Sequence, residues 1–291
     1  DLQLNVNTVL ANTGKLLADN DLNISAGSAA LAISNVSTGV VQAGNALNIT
    51  GANATFNTQA GTVLGLTLDT TLASLDNSGT FQSNADTTLA IGGALTNSGT
   101  LLAKTTLVSV SNSLTNSGTL QAEQGSTITA ATINNTGTLQ SLGAGNVALN
   151  ASNGLSNAGS IISDTGSVTA RVTGTLSNSG TLQAKTTLDI ADISGGATEN
   201  ITNSGVVLAD GALAIKAATV TNQSSGKIQG TTGTTMAADT LTNAGIFVAS
   251  STDGQSGTFT LGTLSNDGTL QSAEDLQLNV NTVLANTGKL L

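Results

Sequence analysis

A glycine recurs fourteen times along this chain, and the second residue after it is always a large apolar one. That slot holds Leu16, Val41, Val63, Phe81, Leu101, Leu120, Leu139, Ile161, Leu182, Val207, Ile228, Phe247, Leu270 and Leu290. Two residues further on, every slot within the chain holds Ala, Ser or Gly, from Ala18, Ala43, Gly65 and Ser83 to Ala249 and Ser272. The marker glycines run from Gly14, Gly39 and Gly61 to Gly245, Gly268 and Gly288, at intervals of 18 to 25 residues. A register held over 291 residues requires one small unit stacked on itself, and this period falls in the solenoid range.

The unit reads as short strands. Leu22/Ile24, Leu47/Ile49, Leu89/Ile91, Leu188/Ile190 and Leu213/Ile215 alternate with polar residues, the period-two signature of a strand with one buried face. In Gly-Thr-Leu-Gln-Ala the Leu and Ala point in, while the Thr and Gln point out. Eleven marker glycines close an Asn-x-Gly triplet, as at Asn97 and Asn116. Gly at such a corner suggests positive φ, and Asn suggests a side chain that bonds nearby backbone. Stacked asparagines would also bond one another, as amides do in other β ladders.

Helix is excluded because Thr, Ser, Asn and Gly fill the positions that Glu, Lys and Ala would take. Disorder is excluded because β-branched and large aliphatic residues recur on schedule. The fold expected is all-β: a parallel β-helix (solenoid) of about fourteen coils, roughly 21 residues each. At one strand spacing per coil it would be on the order of 65–70 Å long. Phe81 and Phe247 read as core wedges. Irregular corners are expected at Asn35–Gly39, Gln59–Gly61 and Asn222–Gly226, with outward loops at 193–200 and 253–257.

The whole chain, 1–291, reads as a single continuous β-helical repeat region, a fragment of a larger array. Residues 275–291 duplicate 1–17 without change, an offset of 274 residues or thirteen coils, and start a further block.

The formal charge is −10, with only seven cations. No basic patch can track a phosphate backbone and there are almost no aromatics to stack bases, so nucleic acid is not an expected partner. No apolar run approaches the roughly 20 residues of a membrane helix, so no transmembrane segment is expected. The chain has no Cys and no His, which excludes disulfides, thiolate metal sites and nucleophile–histidine catalysis.

No catalytic, cofactor-binding or metal site residue is assigned, no cofactor is expected, and the chain is not read as an enzyme. Asp19/Asp21 and Asp189/Asp192 are the nearest things to carboxylate clusters, and they read as solvated surface groups. Arg171 shows no acidic cluster at the matching slot one coil away. Outward Gln42, Gln82, Gln121, Gln140, Gln183, Gln229 and Gln271 alternate with outward Leu17, Leu64, Leu102, Ile162, Leu208, Val248 and Leu291. They make an amphipathic stripe that either merely faces the sheet surface or a covering loop, or packs laterally against another rod or a partner.

The unit Leu-Thr-Asn-Ser-Gly-Thr-Leu-Gln-Ala, present at 114–122 and, with Leu102 for Gln, at 95–103, resembles the filamentous haemagglutinin repeat. That family comprises exoproteins of Gram-negative two-partner secretion, including adhesins and contact-dependent growth-inhibition effectors. The resemblance implies a right-handed parallel β-helix, exported through an outer-membrane transporter of the two-partner type. It implies a secreted, cell-surface location on a Gram-negative bacterium. The function it implies is the structural shaft of a filamentous adhesin, holding a distal binding or toxic domain away from the cell and supporting attachment. The alternative is direct binding of glycan, receptor or neighbouring filaments through a lateral face, with a host or bacterial cell-surface receptor or polysaccharide as partner.

Overall fold

The computed structural model describes residues 1–291, Thr58 by its backbone alone. The chain is a right-handed parallel β-helix of about fourteen turns of about 21 residues. It divides into two compact units, Asp1–Gly143 and Ala144–Leu291.

In each unit every coil gives one short strand to a narrow sheet. In the first unit these include Thr62–Gly65, Thr80–Ser83, Thr100–Ala103 and Thr119–Ala122; in the second, Ser160–Ser163, Thr181–Ala184 and Val206–Ala209. The rest of the coil supplies a broad sheet. There two strand segments are either separate, as in Thr105–Val110 and Ser113–Asn116, or fused into one bent strand, as in Thr67–Asn77 and Thr234–Asn243. All pairing within each unit is parallel and like pairs with like: Leu101 with Leu120, Leu114 with Ile133, Leu182 with Val207.

The inward slots of the narrow sheet fill the core. Val63, Phe81, Leu101, Leu120, Leu182 and Phe247 are fully buried. Leu101, Ala103, Val108, Val110 and Leu114 are the buried apolar residues of one coil, the four larger ones each contributing roughly 1.5–3 kcal/mol of burial against the ordering of the backbone. All four phenylalanines of the chain, Phe56, Phe81, Phe247 and Phe259, are buried. Phe247 and Phe259 meet edge to face, with ring centroids 5.0 Å apart.

The glycine corner has a different cause from the one the sequence suggests. Among the described residues the positive-φ glycines are Gly27, Gly125, Gly154, Gly174, Gly195, Gly233 and Gly254, and none is a marker. The reason is close approach. A Cβ on Gly99 would lie 2.2 Å from the Gly79 carbonyl oxygen, and one on Gly118 would lie 2.0 Å from that of Gly99. That carbonyl also accepts from the backbone N–H of the next coil, Thr119 N to Gly99 O at 2.9 Å.

The corner asparagines do stack. Asn77 Nδ2 donates to Asn97 Oδ1, Asn97 to Asn116 and Asn116 to Asn135, each at 2.7 Å. In the second unit the ladder runs from Asn157 through Asn178, Asn203, Asn222, Asn243 and Asn266 to Asn286, at 2.7–2.9 Å. Each amide's remaining N–H reaches backbone carbonyls, as Asn97 does to Thr119 O at 3.0 Å. A buried amide whose donors are all used is stabilising, whereas one left unpaired is costly.

The corners expected to be irregular still belong to this ladder. Asn12 donates to Asn35 and Asn35 to Gln59 Oε1, both at 2.8 Å. Asn222 keeps its place because the extra residues after it close a turn, with Gly226 N donating to Gln223 O at 2.8 Å.

Three local expectations are corrected. The loop expected at 193–200 covers 192–197, because Thr198–Asn203 is already a strand. The loop expected at 253–257 covers 251–256, since Gly257–Asn266 is a strand. Ser250, not Ala249, lies opposite Ser272, because the strand Ile246–Ser250 carries a bulge after Val248.

Candidate interaction surface

The outward positions of the narrow sheet form two columns. The first column in the first unit includes Thr62, Thr80, Thr100, Thr119 and Thr138, paired coil to coil. In the second column Leu17 pairs with Gln42, Gln42 with Leu64, Leu64 with Gln82, Gln82 with Leu102 and Leu102 with Gln121. The second unit repeats the alternation through Ile162, Gln183, Leu208, Gln229, Val248 and Gln271. Amide and aliphatic groups therefore each recur every second coil, about 9.6 Å apart at the usual interstrand spacing, except where Gln121 pairs with Gln140. Val248 departs from the reading as an outward residue: beside its bulge it is buried.

Charge is distributed unevenly. None of the seventeen acids lies on a strand of the narrow sheet, whereas Lys15, Lys227 and Lys289 do. The excess of negative charge thus belongs to the broad sheet and the corners. Along the edge of the stripe in the first unit, Gln42, Leu64, Leu66 and Gln82 line a shallow groove of about 340 Å³. A second groove, of about 150 Å³, continues past Gln82 to Leu102, Lys104, Gln121 and Glu123. On the broad sheet Thr71, Ala90, Gly92 and Ser109 line a groove of about 220 Å³ that holds no titratable group.

The carboxylate pairs are engaged separately. Asp189 forms an ion pair with Arg171 of the preceding coil. That partner lies on the diagonal, since Arg171 faces Ala191 directly, and so it escapes a slot-by-slot search. Asp192 accepts from the hydroxyls of Ser194 at 2.6 Å and Thr173 at 2.5 Å and from Ser194 N–H at 2.8 Å. The Ser194 hydroxyl is the first of the bonds that lower its pKa to about 2 from the ordinary 3.8, followed by that of Thr173 and then backbone N–H groups. Asp21 accepts from Asn45 Nδ2 at 2.8 Å and from Ala46 N at 3.1 Å, while Asp19 is exposed. These are structural bonds that tie coils together.

Among the described residues no group of three or more His, Cys, Asp or Glu could hold a metal ion, and no helix is long and apolar enough to cross a membrane.

Residues 108–159, 142–201, 191–255 and 247–291 match the haemagglutinin repeat, together more than half of the chain. The chain belongs to the haemagglutinin-repeat family. No curated protein and no solved structure gives a match. Haemagglutinin-repeat proteins are generally secreted or surface-associated in Gram-negative bacteria and are typically exported by two-partner transporters. The repeat is typical of filamentous adhesins and is consistent with a structural or adhesive role.

Proposed function

We propose that this chain is a length of shaft in a secreted, surface-displayed filamentous adhesin of a Gram-negative bacterium. It holds a distal binding or toxic domain away from the cell and leaves through an outer-membrane two-partner transporter. Residues 1–291 act as one continuous repeat region of a larger array, with 275–291 opening a further block. The observation that carries this reading is the coil-to-coil identity of pairing. Within each unit the same inward slot, the same corner amide and the same glycine contact recur, which builds length without a distinct site.

The test is an in-register deletion of residues 99–136, which joins Ser98 to Gly137 and removes two whole coils. Export, folding and attachment of the secreting cell are expected to survive, with the filament shorter by about 9.6 Å. Loss of attachment by an exported, folded filament would sink the shaft reading. A second reading, direct binding of a glycan or surface receptor, is favoured by the acid-free alternating stripe of the narrow sheet. It predicts that this deletion, which removes Leu102 and Gln121 from the stripe, abolishes binding.

A further inference from the structure

In the second unit the part of the broad sheet next to the amide ladder turns a patterned face outward. Thr-x-Thr stands at 219–221 and 240–242, with close equivalents at 175–177, 200–202 and 263–265. The five segments pair in unbroken register, so that Thr219 lies opposite Thr240 and Thr221 opposite Thr242. Nine of the ten outward positions carry a hydroxyl, and the tenth is Asn200. All ten are exposed or half-buried.

The face is held from behind. The middle residue of every segment, from Leu176 to Leu264, is buried, and the residue after each segment is a buried amide of the ladder. Threonine adds stiffness, because its branched β-carbon restricts χ1. A surface ordered in advance loses little freedom on binding. Thr263 Oγ1 meets Thr282 Oγ1 at 3.0 Å. Among the described residues, the other hydroxyls of the array make no bond within the chain and are free to bond outward.

The spacing is that of a lattice. Outward side chains two residues apart on a strand are about 6.6 Å apart, and those on adjacent coils about 4.8 Å apart. In ice each oxygen has tetrahedral partners at an O–H···O distance of about 2.75 Å. Tetrahedral geometry then repeats like oxygens about 4.5 Å apart within a layer and about 7.3 Å apart across layers. The two lattices agree to about a tenth in each direction. A mismatch of roughly 0.3 Å per coil stays below half an oxygen–oxygen distance over five coils.

Charge selects the same partner. An ice lattice admits no ions, so a face that meets it must be neutral. The chain has a formal charge of −10, yet none of these ten positions is charged. Glu199 and Asp239 border the array on one side and Asp267 on the other.

We propose that this face of the second unit binds ice. The hydroxyls take lattice positions of the outermost water layer, and the threonine methyl groups fill the spaces between them. The activity is independent of any distal domain.

The test is enrichment of the full chain in ice grown slowly from dilute solution, with protein in ice and in liquid compared on a gel. The unaltered chain is expected to be enriched in ice relative to an inert protein of similar size. Thr221→Tyr with Thr242→Tyr, which raises two steps on the face, is expected to lose the enrichment at unchanged urea midpoint. Thr181→Tyr with Val206→Tyr, adjacent in the same way on the narrow sheet, is expected to keep it. Thr221→Lys alone adds a charge without an aromatic ring and is expected to lose it too, which covers a double variant that does not fold. Exclusion of the unaltered chain from ice, full retention by a folded Thr221→Lys variant, or equal loss in the narrow-sheet variant overturns the proposal.

Discussion

Gln59 lies opposite Asn77 in the ladder of corner amides, yet its Nε2 donates to Gly61 O and Thr80 O, both at 2.9 Å. Asn77 Oδ1 is left buried without a hydrogen-bond partner. The break has a local cause. The strand Ala46–Gln59 carries an irregularity between Phe56 and Gln59, and Gln, one methylene longer than Asn, stands where the register shifts. An unpaired buried acceptor costs about 1–3 kcal/mol. Gln59→Asn is therefore expected to raise stability by about 1 kcal/mol, read as a higher urea midpoint at unchanged slope. A lower midpoint would mean that the longer side chain is needed to span the irregularity.

The glycine contact gives a sharper test, because a glycine outside the corner serves as control. A Cβ at Gly118 meets the Gly99 carbonyl oxygen at 2.0 Å, while the nearest atom to one at Gly92 is the Leu72 carbonyl oxygen at 3.7 Å, an ordinary van der Waals contact. The clash is with backbone that also carries a ladder hydrogen bond, so it can be relieved only by moving one coil off another. Gly118→Ala is expected to cost roughly 2–3 kcal/mol, and Gly92→Ala less than about 0.5 kcal/mol. Equal effects in thermal or urea unfolding would show that the marker glycine is retained for backbone freedom instead.

These two cases show what could be read along the chain and what could not. The inward slot from Val41 to Leu270 is legible because alternation within a strand is a property of adjacent residues. The membership of Asn35, Gln59 and Asn222 in the amide ladder is not. Extra residues between amide and glycine, or a Gln for an Asn, change the spacing along the chain but not the stacking across coils. The Arg171–Asp189 ion pair was hidden for a related reason. It joins diagonal positions of adjacent coils, and a search at equal register passes over it. The acid-free narrow sheet needed the strand boundaries before its lack of carboxylates could be seen.

Asp192 anchors the outward loop at 192–197 through Ser194 and Thr173. Its pKa in the folded chain is about 2, below the ordinary 3.8, so the charged form is favoured by folding. The stabilisation is fully present above about 3.8 and is lost as pH falls through about 2. A carboxyl-carbon NMR titration is expected to place the Asp192 midpoint near 2, and Thr173→Val to move it upward by removing the second of the two hydroxyl donors. A midpoint at 3.8 or above in the native chain would remove the anchoring role.

The alternation of Gln with aliphatic residues on the narrow sheet also has a physical reason independent of any ligand. In a parallel ladder, side chains at one register stack directly on their neighbours, so an unbroken row of Leu would make a continuous apolar strip. An unbroken row of Gln would make an amide zipper of the kind that joins sheets in fibrils. Placing Leu64, Gln82, Leu102 and Gln121 in turn interrupts the aliphatic row and holds the amide row of the first unit to the one pair Gln121–Gln140, as edges and faces do elsewhere in soluble β proteins. Gln82→Leu with Gln121→Leu fuses the row from Leu64 to residue 121 into one apolar patch, on the order of a few hundred Å². The double variant is expected to fold with unchanged urea midpoint but to associate side by side, seen as light scattering that rises with concentration and with added sulfate. A variant that stays monodisperse under both conditions would show that the alternation is not kept for solubility, and would leave the pattern to recognition of a partner with the same two-coil repeat.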